Sequence, residues 1–367
     1  MKIKPLLYLI ISLFFFSNVN VSYGQTLYLY HTDNKKLSIK EVINYPNSTK
    51  LNSNVINLGL GEKNVWIRAS NLSDYKVNSF IIDQSRLYNI SIYYVRKQKI
   101  EKSISLSETQ IIPNHNQTGN VNLFTIDSNY INNDTDIYLN LLSKEIFIVP
   151  IKFDKVSSNH EYLSMKDVNY GLYTGSILIM LIYHIFIFFS VRDKNYILYI
   201  FYILFTWLTQ ISIMGYSSKY FWHNDRWLHE NSVMIFSMIA LIFGIFFTTS
   251  FLKVKEFLPK VALAYKALLI TSFSILILSV FYQKSIFFAL MQGVTFISCL
   301  LAYYTALVIY FKKKYFPARF YLIAWSILIL GVILFLLKDY EIVPYNNYTK
   351  YILQISTIVE IALLSFA

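Results

Sequence analysis

Three observations predict a multidomain chain, in which an exported all-β sandwich precedes an all-α bundle of seven membrane-crossing helices. From Asn169 to Ala367, long apolar runs alternate about seven times with short charged breaks. Ahead of them lies a polar segment rich in Asn, Ser, Thr, Tyr and Ile, with short alternating runs and no helical period. The chain opens with Lys2 and Lys4, an apolar stretch from Leu6 to Phe16 and a small-residue end at Ser22-Tyr23-Gly24, the form of a secretory leader. The expected division is a signal peptide over 1–24, an extracytoplasmic β-sandwich over 25–165 and a helical bundle over 169–367.

In the exported segment, Val65, Ile67 and Ala69 fall on one face of a strand, and Trp66, Arg68 and Ser70 on the other. Similar runs at 88–95, 136–142 and 145–153 are separated by Asn, Asp, Gly and Pro clusters that favour turns. Several such strands must cover one another's apolar faces, which predicts two packed sheets. The only cysteine, Cys299, lies in an apolar run, so the exported domain must rely on its hydrophobic core rather than a disulfide.

The helices are expected over 171–191, 196–216, 232–252, 267–281, 285–311, 320–337 and 351–367. Each longer run reaches the roughly 20 apolar residues needed to cross about 30 Å of hydrocarbon. With the polar domain outside, the inner breaks contain Arg192 and Lys194, Lys253, Lys255, Lys260 and Lys266, and Lys312, Lys313, Lys314 and Arg319. The outer breaks hold only Lys219, Arg226, Lys284, Lys338 and Lys350. This asymmetry is the one expected of a protein with its N-terminal domain outside. It also accounts for the net charge of +12 without a nucleic-acid partner, since the basic residues form no interleaved surface.

Other classes lack their residues. There is no phosphate-binding Gly-rich loop ending in Lys-Ser or Lys-Thr, no His-Glu-x-x-His helix and no Gly-x-Ser-x-Gly turn, so no catalytic residue is expected. His31, His115 and His160 are far apart and lack carboxylate spacing, so neither a metal nor a cofactor is expected. A transporter is the alternative reading. It predicts paired interrupted helices or an internal repeat, and neither half of the apolar region repeats the other.

The residues resemble a known family. Gly61-Glu62-Lys63-Asn64-Val65-Trp66-Ile67-Arg68 with Asn71, the strand Ile92-Tyr93-Tyr94 and a closing strand near Ile146 to Phe153 resemble the jelly-roll-like type 2 extracellular domain of bacterial seven-transmembrane receptors with diverse intracellular signalling modules. Tyr170-Gly171-Leu172-Tyr173-Thr174-Gly175, Ile182-Tyr183-His184 and Val191-Arg192-Asp193-Lys194-Asn195-Tyr196 resemble the first helix and inner turn of these receptors, with His184 where many relatives carry Asn. Gly215-Tyr216 with Tyr220-Phe221-Trp222, and the last helix around Glu360, add to the likeness.

The resemblance implies a sensory receptor of the bacterial inner membrane that takes a small-molecule or saccharide ligand outside and signals to a cytoplasmic module. The sequence stops within the closing helix, where relatives run on into that module, and so reads as truncated there. Trp66, Arg68, Tyr93 and Tyr94 are the expected ligand-binding platform, against the plainer reading of Trp66 as a packing residue and Arg68 as a cross-strand carboxylate partner. His184, Gln210, Gln292 and Glu360 are the deepest polar groups in the apolar runs. Of these, His184 and Glu360 are expected to form a switch whose pairing differs between states, and the plainer reading makes all four interhelical hydrogen-bond partners. The expected partners are the lipid bilayer, the ligand and a cytoplasmic signalling protein, with a homodimer compatible and no nucleic acid.

Overall fold

The computed structural model describes residues 26–30, 37–45, 48–51, 53–72, 77–106, 122–130, 134–144, 146–222, 225–282 and 285–365. The leader expected over 1–24, and His31 and His115, lie outside them. Among the described residues the N-terminal domain holds ten strands in two antiparallel sheets. One sheet runs, in order, β2 (Thr49–Lys50), β1 (Thr26–Tyr30), β4 (Lys63–Ser70), β9 (Thr135–Ser143), β6 (Asn89–Arg96) and β7 (Lys99–Leu106), and the other β3 (Val55–Leu60), β10 (Ile146–Asp154), β5 (Ser79–Ile82) and β8 (Asn122–Thr125).

The period-two pattern of β4 has its expected consequence. Val65, Ile67 and Ala69 are fully buried between the sheets, beside Ile92 of β6 and Leu139 of β9, and facing Phe80, Val149 and Phe153 of the second sheet. Phe80 stacks on Phe124 at 4.9 Å and on Phe153 at 5.0 Å, so three aromatic rings fill one side of this core.

Seven helices of 18 residues or more follow among the described residues: α1 (Val156–Val191), α2 (Lys194–Ile213), α3 (Arg226–Phe251), α4 (Pro259–Phe281), α5 (Ser285–Lys313), α6 (Ala318–Asp339) and α7 (Asn347–Leu364). Among the described residues six are long and apolar enough to cross a membrane. The seventh expected run also forms a helix, α7, whose described residues include Lys350, Gln354 and Glu360. It packs chiefly on α6 and also meets α1. Gly331 of α6 permits the close approach: a Cβ there would stand 2.5 Å from the Cβ of Ser356.

The largest departure from expectation is at α1, which begins at Val156 rather than Gly171 and is continuous from sheet to bundle. The expected boundary near 165 falls inside this helix. Its first turns run along the outer face of the four-stranded sheet. Asn159, Leu163 and Lys166 share one buried face at the i, i+4, i+7 spacing of a helix. Asn159 donates to the Ser79 hydroxyl at 2.8 Å, and Leu163 packs with Ile81 and Leu123.

Inner turns take left-handed backbone at charged residues. Arg192 ends α1 at φ 58°, and Lys253 and Lys314 follow α3 and α5 at φ 49° and 52°. Such a residue closes a helix C-terminus by redirecting its last amides to orphan carbonyls, as Arg192 N–H does to Phe188.

Candidate functional site

The outer face of the six-stranded sheet carries three of the four expected platform residues. Trp66 is only 5% exposed. It packs with Tyr30, Leu37, Val42 and Tyr138, under the short helix Ile39–Ile43, and its indole N–H donates to the Leu37 carbonyl at 3.0 Å. Tyr93 lies beside it with ring centres 5.5 Å apart. Arg68 donates to Asp136 of β9 at 3.0 Å through Nε and reaches the same oxygen through Nη2 at 2.9 Å, with its guanidinium 5.5 Å from the Tyr28 ring centre. Tyr94 points the other way. It is buried in the core between the sheets against Tyr130, because neighbouring strand residues face opposite sides. The four do not form one platform: Trp66 is covered, Tyr94 is internal, and Arg68 and Tyr93 remain at least partly accessible.

A second constellation was not singled out from sequence and joins the two domains. Asp83 directly follows β5 and accepts from Lys166 of α1 at 2.6 Å and from Lys350 of α7 at 2.7 Å. Tyr162 donates to the same carboxylate at 2.6 Å and accepts from Lys350 at 3.0 Å. The side chains of Asp83, Lys166 and Lys350 are 5%, 5% and 15% exposed. Burial by itself would raise the Asp83 pKa, but the two ammoniums hold it well below the usual carboxylate range. Three further contacts join the domains at the same end of the bundle. Asn57 donates to the Lys338 carbonyl at 3.0 Å, Arg86 to the Glu230 carbonyl at 3.0 Å, and His229 Nε2 to the Ser85 carbonyl at 2.9 Å. His229 Nδ1 faces the Ser218 hydroxyl, which fixes the ring with its proton on Nε2.

These contacts border a cavity of about 240 Å³ between the four-stranded sheet and the outer mouth of the bundle. Its wall is drawn from β10 and from every long helix except α4, and is mostly apolar, with Ile148, Ile213, Val233, Met291 and Phe335 among its residues. Gln292 of α5 and Gln354 of α7 also line it, each 6% exposed. Gln292 donates to Asp339 at 3.1 Å, an interhelical bond of the kind expected for it.

Deeper in the bundle, His184 Nε2 meets the Ser365 hydroxyl at 3.0 Å, and Tyr202 donates to Glu360 at 3.5 Å. Among the described residues no hydrogen bond joins His184 to Glu360. Tyr199 lies between them, edge-on to His184 at 4.8 Å and stacked near Tyr202 at 5.8 Å, so α1, α2 and α7 share one polar seam. Gln210 is buried in α2.

Two antiparallel sheets followed by six potential membrane spans, the first of which begins directly after the last strand, define a multi-pass membrane protein with an N-terminal extracytoplasmic domain. Residues 166–367 match the family described as 7TM diverse intracellular signalling, and residues 24–155 match the one described as 7TMR-DISM extracellular 2. The chain belongs to this family of seven-transmembrane receptors with diverse intracellular signalling. No curated protein matches the sequence.

Proposed function

We propose that the chain is a sensory receptor of the inner membrane, in which a small molecule held outside shifts the bundle and thereby an output on the cytoplasmic side. The observation that carries this reading is the buried Asp83 clasp. One ectodomain carboxylate holds both the first and the last long helix, so a change in the β5–β6 connection changes the force on α1 and α7 together. Lys166 and His184 lie 18 residues apart on α1, about 27 Å of helix at the standard rise. α1 and α7 are thus tied at two levels, by Asp83 near the ectodomain and by His184 with Ser365 farther along.

Transmission requires the ligand to bind two arrangements with different free energies, typically by about 1 to 3 kcal/mol. The seam of His184, Tyr199, Tyr202 and Glu360 is the proposed switching element, because its members belong to three helices and exchange partners when α1 slides on α7. A saccharide is one class of external ligand, for which Arg68 and Tyr93 at the sheet face offer a planar donor and an aromatic ring.

Hydrogen exchange on the full chain in lipid nanodiscs tests the coupling. Asp83→Asn is expected to speed exchange at the turn around Arg192 and Asp193 as well as in the β5–β6 connection. Changes confined to the ectodomain would overturn the reading.

A further inference from the structure

The cavity under the clasp has a chemistry different from that of the sheet face. Two buried amide oxygens, Gln292 Oε1 and Gln354 Oε1, have no hydrogen-bond donor among the described residues. Both residues line the cavity and are more than nine-tenths buried. A buried acceptor left without a donor is costly, and native proteins rarely leave one unsatisfied. On the ectodomain side of the same cavity, Asp83 offers one negative charge to the two ammoniums of Lys166 and Lys350, and Lys338 is paired with Asp339 at 2.9 Å. A carboxylate arriving beside Lys350 therefore meets an ammonium that shares the Asp83 carboxylate with a second cation. The rest of the lining is mostly apolar, and the hydroxyls of Thr209 and Ser237 are bonded within their own helices, which leaves few partners for the hydroxyls of a saccharide.

We propose that this cavity binds a small carboxylic acid with an N–H or O–H donor on its α-carbon and an apolar side chain, the chemistry shared by apolar amino acids and their α-hydroxy analogues. The carboxylate sits toward Lys350 and Lys166, the donor toward Gln292 and Gln354, and the side chain against Val233, Met291 and Phe335. The cavity, about 240 Å³, has room for a ligand of this size. Binding here bridges ectodomain and helices at the clasp, so the inference deepens the sensory reading and rests on it for its consequence, though not for the binding itself.

The test is thermal unfolding of the full chain in nanodiscs with L-phenylalanine, phenyllactate, phenethylamine or glucose. The two acids are expected to raise the midpoint saturably, while phenethylamine, which lacks the carboxylate, and glucose leave it unchanged. A shift with phenylalanine alone or phenyllactate alone supports the site and states which donor it reads. Gln354→Met removes an unpaired acceptor at nearly constant volume, so the unliganded midpoint stays or rises while half-saturation moves to about tenfold higher acid concentration. A merely structural role of Gln354 would lower the unliganded midpoint instead. Gln292→Met also loses the bond to Asp339, so in that variant half-saturation alone is read. The proposal is overturned if neither acid shifts the midpoint at up to about 10 mM, where even a weak site fills, or if the shift persists unaltered in the Gln variants. Exchange in Asp83→Asn is measured without ligand, so loss of this site and loss of the coupling are separate outcomes.

Discussion

Asp83→Asn removes the one negative charge held between Lys166 and Lys350 while keeping the size of the side chain. The three groups are nearly solvent-free, so neither ammonium recovers its hydration when the carboxylate is lost. The new amide also directs hydrogens at cations that need acceptors. Breaking a buried ion pair by removing one partner costs about 3 to 5 kcal/mol, since the remaining charge stays buried and uncompensated. A natural control is Lys97 with Asp134, 3.8 Å apart and with side chains 79% and 63% exposed. Exposed pairs of that kind contribute about 0 to 1 kcal/mol. Thermal unfolding of the full chain in nanodiscs should therefore show a large fall for Asp83→Asn and little change for Asp134→Asn. Combining Asp83→Leu with Lys166→Met and Lys350→Met should recover most of the loss, because an apolar triad carries no desolvation penalty. Equal effects of Asp83→Asn and Asp134→Asn would refute the claim that the clasp is a dry, mutually dependent unit.

The same carboxylate sets a pH signature. Its folded pKa is depressed, so its contribution is fully present above its unfolded value of about 3.9 and disappears as pH falls through the lower folded value. The gap in unfolding midpoint between the wild type and Asp83→Asn should narrow below about pH 4, as the wild type loses the carboxylate charge. Trp66→Ala should destabilise the ectodomain by about 3 to 5 kcal/mol in chemical denaturation, and Trp66→Phe by far less, since it keeps the ring and loses only the bond to Leu37. Gly331→Ala should cost about 1 to 3 kcal/mol in thermal unfolding, because its Cβ would overlap Ser356 and force α6 and α7 apart. Its partner Ser356→Gly should relieve much of that cost, which a double-mutant cycle reads directly.

The parts legible in the sequence are those fixed by local periodicity. Val65, Ile67 and Ala69 announce their buried face because the pleat alternates every residue. The long apolar runs announce helices because lipid demands length and excludes charge, and the basic inner turns orient them. The same alternation already separates Tyr93 from Tyr94, and grouping them as one platform set the resemblance above the pleat. The start of α1 is masked by Ser157, Ser158, Asn159, His160 and Glu161, polar residues that fall within the expected β-sandwich segment. The buried spacing of Asn159, Leu163 and Lys166 was its one available signal. The clasp carried no such signal, since Lys166 and Lys350 stand 83 and 267 positions from Asp83 in sequence. Lys350 read simply as one of five outer charges, a reading that explains its side of the membrane but not its partner. Long-range pairing of charges is a product of the fold, and no periodicity encodes it.

The central claim is that the ectodomain holds α1 and α7 together through Asp83 and that this hold is felt at the far end of the bundle. It is tested most directly by the distance between spin labels at Phe189→Cys and Ala362→Cys, measured by pulsed electron resonance with Asp83 and with Asn at that position. The label sites belong to α1 and α7 on the side away from the clasp. A shifted or broadened distance distribution in Asp83→Asn is the predicted result. Superimposable distributions, in protein shown to be folded, would contradict it.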